Sequence, residues 1–288
     1  MIPAADPASL AHSRPVWLIE AGVYGAEVEP LLAEIRRQGM SATLVSHQAL
    51  RKGVDLAVAG RVLADGACVV GYGTFPFARQ IQLHRNWRPG AWCNPTNLDC
   101  TTYYAHFGKY LLNQHYAIMP GVEALRQRDW LFAVFGRDGA VFARPTGCQK
   151  VFTGRCLTAD SFATALAPTR YDPVTPVVVT APRELGREWR LVVADGRVIA
   201  ASQYAAHGVR ASAPGCPAEV RAFAETLLHE VPWRPDPIFL LDLGESAGRL
   251  GLVEIGGFSC CWLYACAVDA VVAAASALAS QAAAALAV

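Results

Sequence analysis

The chain has 288 residues, 53% of them hydrophobic and 17% charged, with 25 basic side chains against 24 acidic ones. That length suits one large or two modest domains. The composition excludes a disordered chain, and the near-zero net charge excludes a polycation, so no nucleic-acid partner is expected. Nine cysteines occur without any C-x-x-C pair and in odd number. They fit neither a disulfide framework nor a zinc site, and point to a reducing, cytoplasmic setting. Residues 1–10 lack the basic-then-apolar start of a signal peptide. Residues 270–288 are almost all alanine, valine and leucine. Ser276, Ser280 and Gln281 interrupt that stretch and no basic flank follows, so a helix packed on the protein or at an interface between copies is expected, not a membrane span.

The first part alternates strand and helix patterns. Residues 16–19 and 42–46 read as strands. Residues 26–38 carry apolar side chains at helical spacing (Val28, Leu31, Leu32, Ile35) and end at Gly39, and residues 67–71 are a third strand. This rhythm predicts a small α/β domain with a parallel sheet. Gly71-Tyr-Gly73 lacks the third glycine of a dinucleotide fingerprint and has Pro76 in its place, which favours a tight turn. Residues 87–121 read as an irregular stretch rich in Asn, Tyr and His.

From residue 131 the pattern changes to hairpins. Residues 132–135 and 140–144 flank Arg137-Asp138-Gly139. Residues 188–194 and 197–204 flank Asp195-Gly196, and residues 238–243 and 250–255 form a third pair. Helices are expected at 159–166 and 218–229, and the loop 207–217 has the composition of a mobile lid. The second half is therefore α+β.

In Glu188-Trp-Arg190-Leu-Val192 the charged residues share one strand face and the apolar ones the other. The third hairpin carries one acid in each of two apolar strands, Asp242 and Glu254. With the turn centred on Gly248 they face each other, Cβ atoms roughly 4.5–5.5 Å apart. Two like charges so placed repel by about 3–4 kcal/mol at an effective dielectric near 20. A divalent cation removes the conflict, and two hard oxygen ligands suit Mg²⁺. A protonated acid, or a register that separates the pair, are the other ways out. Arg144 and Lys150 lie at strand ends of the same region. Three cations with Arg190, and two acids, fit a nucleoside triphosphate and its metal.

The ordered set Phe142-Ala-Arg-Pro-Thr-Gly-Cys-Gln-Lys150-Val-Phe-Thr-Gly154, Glu188-Trp-Arg190, Leu241-Asp242-Leu, Glu254-Ile-Gly-Gly-Phe258 and Leu263-Tyr264 with Asp269 resembles the ATP-grasp superfamily. The likeness is to its compact bacterial and phage clade named for an arginine/lysine exchange. It covers about residues 130–275. The resemblance implies an α/β N-terminal domain at 1–118, an ATP-grasp domain at 119–275 with antiparallel hairpins, and an Ala-rich helix end at 276–288. It implies ATP phosphates on Arg144 and Lys150, adenine against the backbone of Val178, Val179 and Thr180, Glu188 and Arg190 facing the nucleotide or the reacting phosphate, and Mg²⁺ on Asp242 and Glu254. Tyr264 and Asp269 resemble positions facing the acceptor, and Arg183 and Arg187 are candidates for a substrate carboxylate. Where the clade usually has Asn two residues beyond the second acid, this chain has Gly256. The implied activity joins a small-molecule or peptide carboxylate to an amine through an acyl phosphate. The alternative is an ATP-binding module with little turnover, and copies of the chain pairing through the C-terminal helix are a further expectation.

Overall fold

The computed structural model describes residues 14–52, 57–58, 61–84, 86–149, 151–167 and 172–285. Residues 1–10, Lys150, Pro168 and the last three residues of the alanine tail lie outside that set.

The front of the molecule runs β1 (Val16–Glu20), α1 (Val28–Arg37), β2 (Ser41–Val45), α2 (His47–Arg51), the short pair β3 (Ala57–Val58) and β4 (Arg61–Val62), β5 (Cys68–Tyr72), α3 (Phe75–His84) and β6 (Arg88–Gly90). A parallel sheet of order β2-β1-β5-β6 forms, as the sequence rhythm predicts. Leu31, Leu32 and Ile35 give α1 its buried stripe, and Gly39 follows at φ +79. Gly71 and Gly73 serve close packing. A Cβ on Gly71 would run into Ile81 and the Gly90 carbonyl, and one on Gly73 would meet Glu20 and Phe77.

Next come α4 (Cys100–Phe107), β7 (Tyr116–Pro120), α5 (Gly121–Arg126), α6 (Arg128–Phe135), β8 (Ala140–Pro145), β9 (Arg155–Thr158), α7 (Ala159–Ala165) and β10 (Pro176–Thr180). The strands make an antiparallel sheet, β7-β10-β8-β9. Two expectations change here. The stretch read as irregular contains α4, whose first turn is capped by the Asp99 carboxylate accepting from Thr101 N. Residues 132–135 are the end of a helix, not a strand. A short apolar run does not reveal its own period, and the longer register of α6 buries Leu131 and Phe135, one helical turn apart, against this sheet.

The last part holds β11 (Arg187–Ala194), β12 (Arg197–Ala206), β13 (Val209–Pro214), α8 (Ala218–Glu230), β14 (Ile238–Ser246), β15 (Arg249–Gly257) and α9 (Val268–Ala284). The sheet order is β13-β12-β11-β14-β15. The segment 207–217, expected as a loop, forms a hairpin with β12. His207 and Gly208, both at positive φ, turn the chain, and β13 pairs along β12. Its run Val209-Arg210-Ala211-Ser212, exposed except for half-buried Ala211, reads as loop because little of an edge strand is covered.

Trp189, Leu191, Val193, Leu241 and Leu243 pack with Val220, Ala224 and Leu227 of α8. Val192, Leu240 and Ile238, from the opposite face, join Trp17, Ile19 and Tyr72 of the front sheet and Val271, Val272, Ala275 and Ala279 of α9. The Ala-rich helix is thus packed along one face on its own chain, and Trp17 Nε1 donates to Ser276 Oγ at 3.2 Å. Among the described residues no helix is long and apolar enough to cross a membrane.

Two contacts yield stability tests. Leu112 N donates to Leu252 O at 2.9 Å, so the chain at 112 lies flat on β15 beside Gly251. A Cβ at 251 would sit 2.6 Å from Leu112 Cα, which is backbone and cannot swing away. Gly251→Ala is expected to cost about 1–3 kcal/mol, read as a lower urea midpoint at unchanged m. Asp236 Oδ2 accepts from Asn94 N at 3.2 Å, and burial pushes its carboxyl up to about 7. Between pH ~4 and 7 the unfolded chain releases a proton that the folded one keeps, so stability falls as pH rises through that window. The loss is up to about 4 kcal/mol. Asp236→Asn is expected to flatten it, measured by urea unfolding at pH 5 and pH 8.

Candidate active site

The site is built from cross-strand pairs. Arg190 of β11 lies opposite Asp242 of β14. Its Nε donates to Oδ1 at 2.9 Å and Nη2 to Oδ2 at 2.7 Å, a forked pair with Asp242 only 3% exposed. Nη1 donates to the Trp262 carbonyl at 2.9 Å, which ties the strand to the segment after β15. The charged face of β11 is therefore largely covered, with Glu188 8% exposed and the Arg190 side chain 12%.

Asp242 and Glu254 are direct partners in the β14–β15 ladder, as expected. The route differs from the sequence arithmetic. The turn is the two-residue Ala247-Gly248, both at positive φ, the conformation that suits strand twist. It pairs Ser246 with Arg249 and Leu243 with Leu252. Continued unbroken, that register would set Val253 across from Asp242. A bulge at Val253 inserts one residue and brings Glu254 into place.

Glu254 Oε1 accepts from Arg144 Nη2 at 2.8 Å. Arg144 stands on β8 opposite Val178, so this bond crosses from one antiparallel sheet to the other. A cleft runs along the seam, lined by Phe142, Arg144, Val178 and Thr180 on one side and by Leu252 and Val253 on the other, with Tyr104, Arg183 and Leu185 at its ends. Most of the lining is apolar, and Arg144 and Arg183 are the charged residues on it. Burial works against the Arg144 and Arg190 cations, but Glu254 and Asp242 outweigh it and push both above the ordinary guanidinium value. The repulsion inferred from sequence is thus relieved by an arginine on each acid.

Glu188 is buried and accepts from the Tyr204 hydroxyl at 2.8 Å. Burial raises its carboxyl above the usual range, the Tyr204 bond pulls it back, and Asp242 raises it further. Tyr204 is the extra residue where the β11–β12 register shifts. Its ring stacks on Tyr264 at 5.4 Å, and Arg190 Cζ lies 5.2 Å from the Tyr264 ring centre. Tyr264 itself holds φ +53, a strained value for a non-glycine residue of the kind found at functional sites.

Asp242, Glu254, Arg144, Arg190, Glu188 and Tyr264 therefore come together. Arg183 stands at the cleft mouth with Nε on Asn113 Oδ1 at 2.5 Å. Val178 and Thr180 line the cleft, whereas Val179 faces the core beneath α5 to α7. β10 is an inner strand whose backbone pairs with β7 and β8 as far as Thr180. Arg187 projects from the other sheet face, forked onto Glu245 at 2.7 and 3.1 Å. Asp269 is exposed in the first turn of α9, its carbonyl accepting from Gln38 Nε2. Sequence reasoning missed Tyr204 and Arg210. Tyr204 sat unremarked at the end of an expected strand, and Arg210 was hidden by the lid reading.

For a metal, the donors on offer are Asp242 and Glu254. Among the described residues no group of three or more His, Cys, Asp or Glu is placed to hold an ion. Two carboxylates on adjacent strands fit Mg²⁺, which keeps several waters and shares the rest of its sphere with phosphates.

Two antiparallel sheets closing on arginines and acids at their seam are the arrangement of an ATP-grasp domain. Residues 82–276 match the ATP-grasp domain of family 3 in the arginine/lysine-exchange clade, and the chain belongs to that family. Its fold is similar to the D-cycloserine synthetase DcsG, with TM-score 0.61 and 13% identity over 92% of this chain and 99% of that one. It is similar to the RimK domain ATP-grasp protein of Sphaerobacter thermophilus, with TM-score 0.57 and 17% identity over 93% and 98%. It is also similar to the ATP-grasp ligase PsnB complexed with minimal precursor, with TM-score 0.55 and 14% identity over 93% and 99%. Identities this low establish the fold alone. No curated protein matches the chain.

Proposed function

We propose that the protein is an ATP- and Mg²⁺-dependent ligase joining a carboxylate to an amine through an acyl phosphate. The observation that carries this is the Asp242/Glu254 pair, with Asp242 forked to Arg190 within the large sheet and Glu254 accepting from Arg144 of the small sheet, itself on the wall of the cleft. Phosphate oxygens are the natural competitors for those guanidinium donors. Arg144 on the small sheet and Arg190 on the large one would orient the triphosphate from both sides, with Phe142, Val178 and Leu252 walling the base. Held by Asp242 and Glu254, Mg²⁺ would neutralise the phosphate oxygens. The substrate carboxylate attacks the γ-phosphorus and ADP leaves. The amine then attacks the acyl carbon, loses a proton, and phosphate departs. The chain contributes positioning and fixed charge, with no covalent step on the protein. A reducing cytoplasmic location accords with nine free thiols.

A second reading, a nucleotide-binding module with little turnover, draws on Gly256. It lies opposite Leu240, on the face that carries Asp242 and Glu254, and offers no side chain where the clade usually has Asn. The experiment is ADP release on mixing with ATP, Mg²⁺ and a panel of amino acids and peptides. Substrate-dependent ADP supports the ligase. ATP-dependent thermal stabilisation without ADP supports the module, and absence of both rejects the two together.

A further inference from the structure

Arg210 and Glu27 belong to different parts of the molecule. Arg210 sits on the edge strand β13, and Glu27 lies in the turn before α1 of the front domain. Their single contact is Nη2 to Oε1 at 3.4 Å, with side chains 66% and 30% exposed. A pair this long and this wet contributes little by itself. Both groups hold further interactions with one residue, Tyr264. Its backbone favours the charged form of the Glu27 carboxyl, and Arg210 Cζ lies 5.4 Å from its ring centre.

Beside Glu27 and Tyr264 opens a cavity of about 190 Å³. Its wall is Tyr24, Tyr72, Leu31, Leu263 and Val268, and Glu27 is the charged residue on it. Both tyrosine hydroxyls are already committed, Tyr24 to the Gly73 carbonyl and Tyr72 to the Cys261 carbonyl, each at 2.8 Å. The rings therefore offer apolar surface. An aliphatic side chain fits such a space, with Glu27 on its wall and Arg210 touching Glu27 and the Tyr264 ring from outside the lining. The contacts then continue from Arg210 through the Tyr264 ring to Arg190 and Asp242. The rim stands one aromatic ring away from Arg190, which holds Asp242.

We propose that Glu27 and Arg210 bind the ammonium and the carboxylate of an α-amino acid whose apolar side chain enters this cavity. The proposal rests on the ligase reading and names the chemistry of one of its two substrates. Charge excludes the near alternatives. A peptide C-terminus brings no ammonium to Glu27, and a second carboxylate on the side chain would meet Glu27 at the cavity rim. Burial raises the Glu27 carboxyl against the pull of Arg210, and an ammonium beside it would favour its charged form.

The test is calorimetric titration, with and without a non-hydrolysable ATP analogue. The probes are L-leucine, D-leucine, leucinamide and 4-methylpentanoate. One leucine enantiomer is expected to bind. Leucinamide, without the carboxylate, and 4-methylpentanoate, without the ammonium, should each bind at least tenfold more weakly. Glu27→Gln and Arg210→Met should each weaken leucine at least tenfold while ATP-analogue affinity stays within threefold, which also shows that the variants fold. Leu31→Phe, which fills the cavity, should reject leucine and keep alanine. The proposal is overturned if neither enantiomer binds, or if both charge variants keep wild-type leucine affinity, while the ATP analogue still binds. A wild-type protein that binds no ATP analogue overturns the ligase reading itself.

Discussion

Asp242→Asn is expected to lower substrate-dependent ADP release by about 10³-fold, the scale seen when one preorganised electrostatic group is removed from a reacting centre. The same change replaces an oxygen that accepts from Arg190 with an amide NH₂ that cannot. Arg190 is buried and its other fixed acceptor is the Trp262 carbonyl. Breaking such a pair from one side costs about 3–5 kcal/mol, because it strands a desolvated charge. The variant should therefore melt early and turn over poorly, and the two losses have separate readouts. Thermal unfolding reports the first. ADP release, measured well below the variant's melting temperature, reports the second. Turnover within tenfold of wild type would remove Asp242 from the chemistry.

Arg144→Met should have the other large effect, and its logic is reversed. Here a cation is lost and an acid is left without its guanidinium. Glu254 loses the Arg144 bond while still facing Asp242 across the ladder. Stability should fall by about 3–5 kcal/mol, and KM for ATP should rise at least tenfold, because the small sheet loses a phosphate donor. The double variant Arg144→Met/Glu254→Met separates the two roles. Neighbours in one pair are not additive, and a shape-matched apolar pair is often no less stable than the ion pair it replaces. The double variant is thus expected to regain much of the lost stability and none of the ATP affinity. Recovery of both would mean that Arg144 serves the fold alone.

The hairpins were legible because each carries local marks. Asp195-Gly196 has the residues that tolerate positive φ, and the strands around it alternate or run apolar for their full length. The large sheet could be outlined from those marks. α6 was misread because Phe132, Ala133, Val134 and Phe135 carry no period within four residues; the helix declares itself only when Leu131 and Phe135 meet the sheet. β13 was misread because an edge strand exposed along its length has the polarity of a loop. α4 was missed although its cap, Asp99, was visible, since the surrounding Asn, Tyr and His residues mask any apolar stripe.

The pairing of Asp242 with Glu254 shows where local inference stops. Spacing around a turn brings the two acids within one residue of each other. A bulge at Val253 supplies the final step, and no residue type there announces it.

Sequence alone therefore determined four of the five strands of the large sheet, their faces, and the set of charges on one face, because alternation and turn chemistry are properties of a few consecutive residues. Tertiary structure decided the partners. Arg144 and Glu254 lie 110 positions apart and meet only when two sheets close on each other, and Arg210 reaches Glu27 across 183 positions. Such contacts depend on how whole elements pack, and packing is fixed by the sum of many buried side chains rather than by any short stretch that contains the charges.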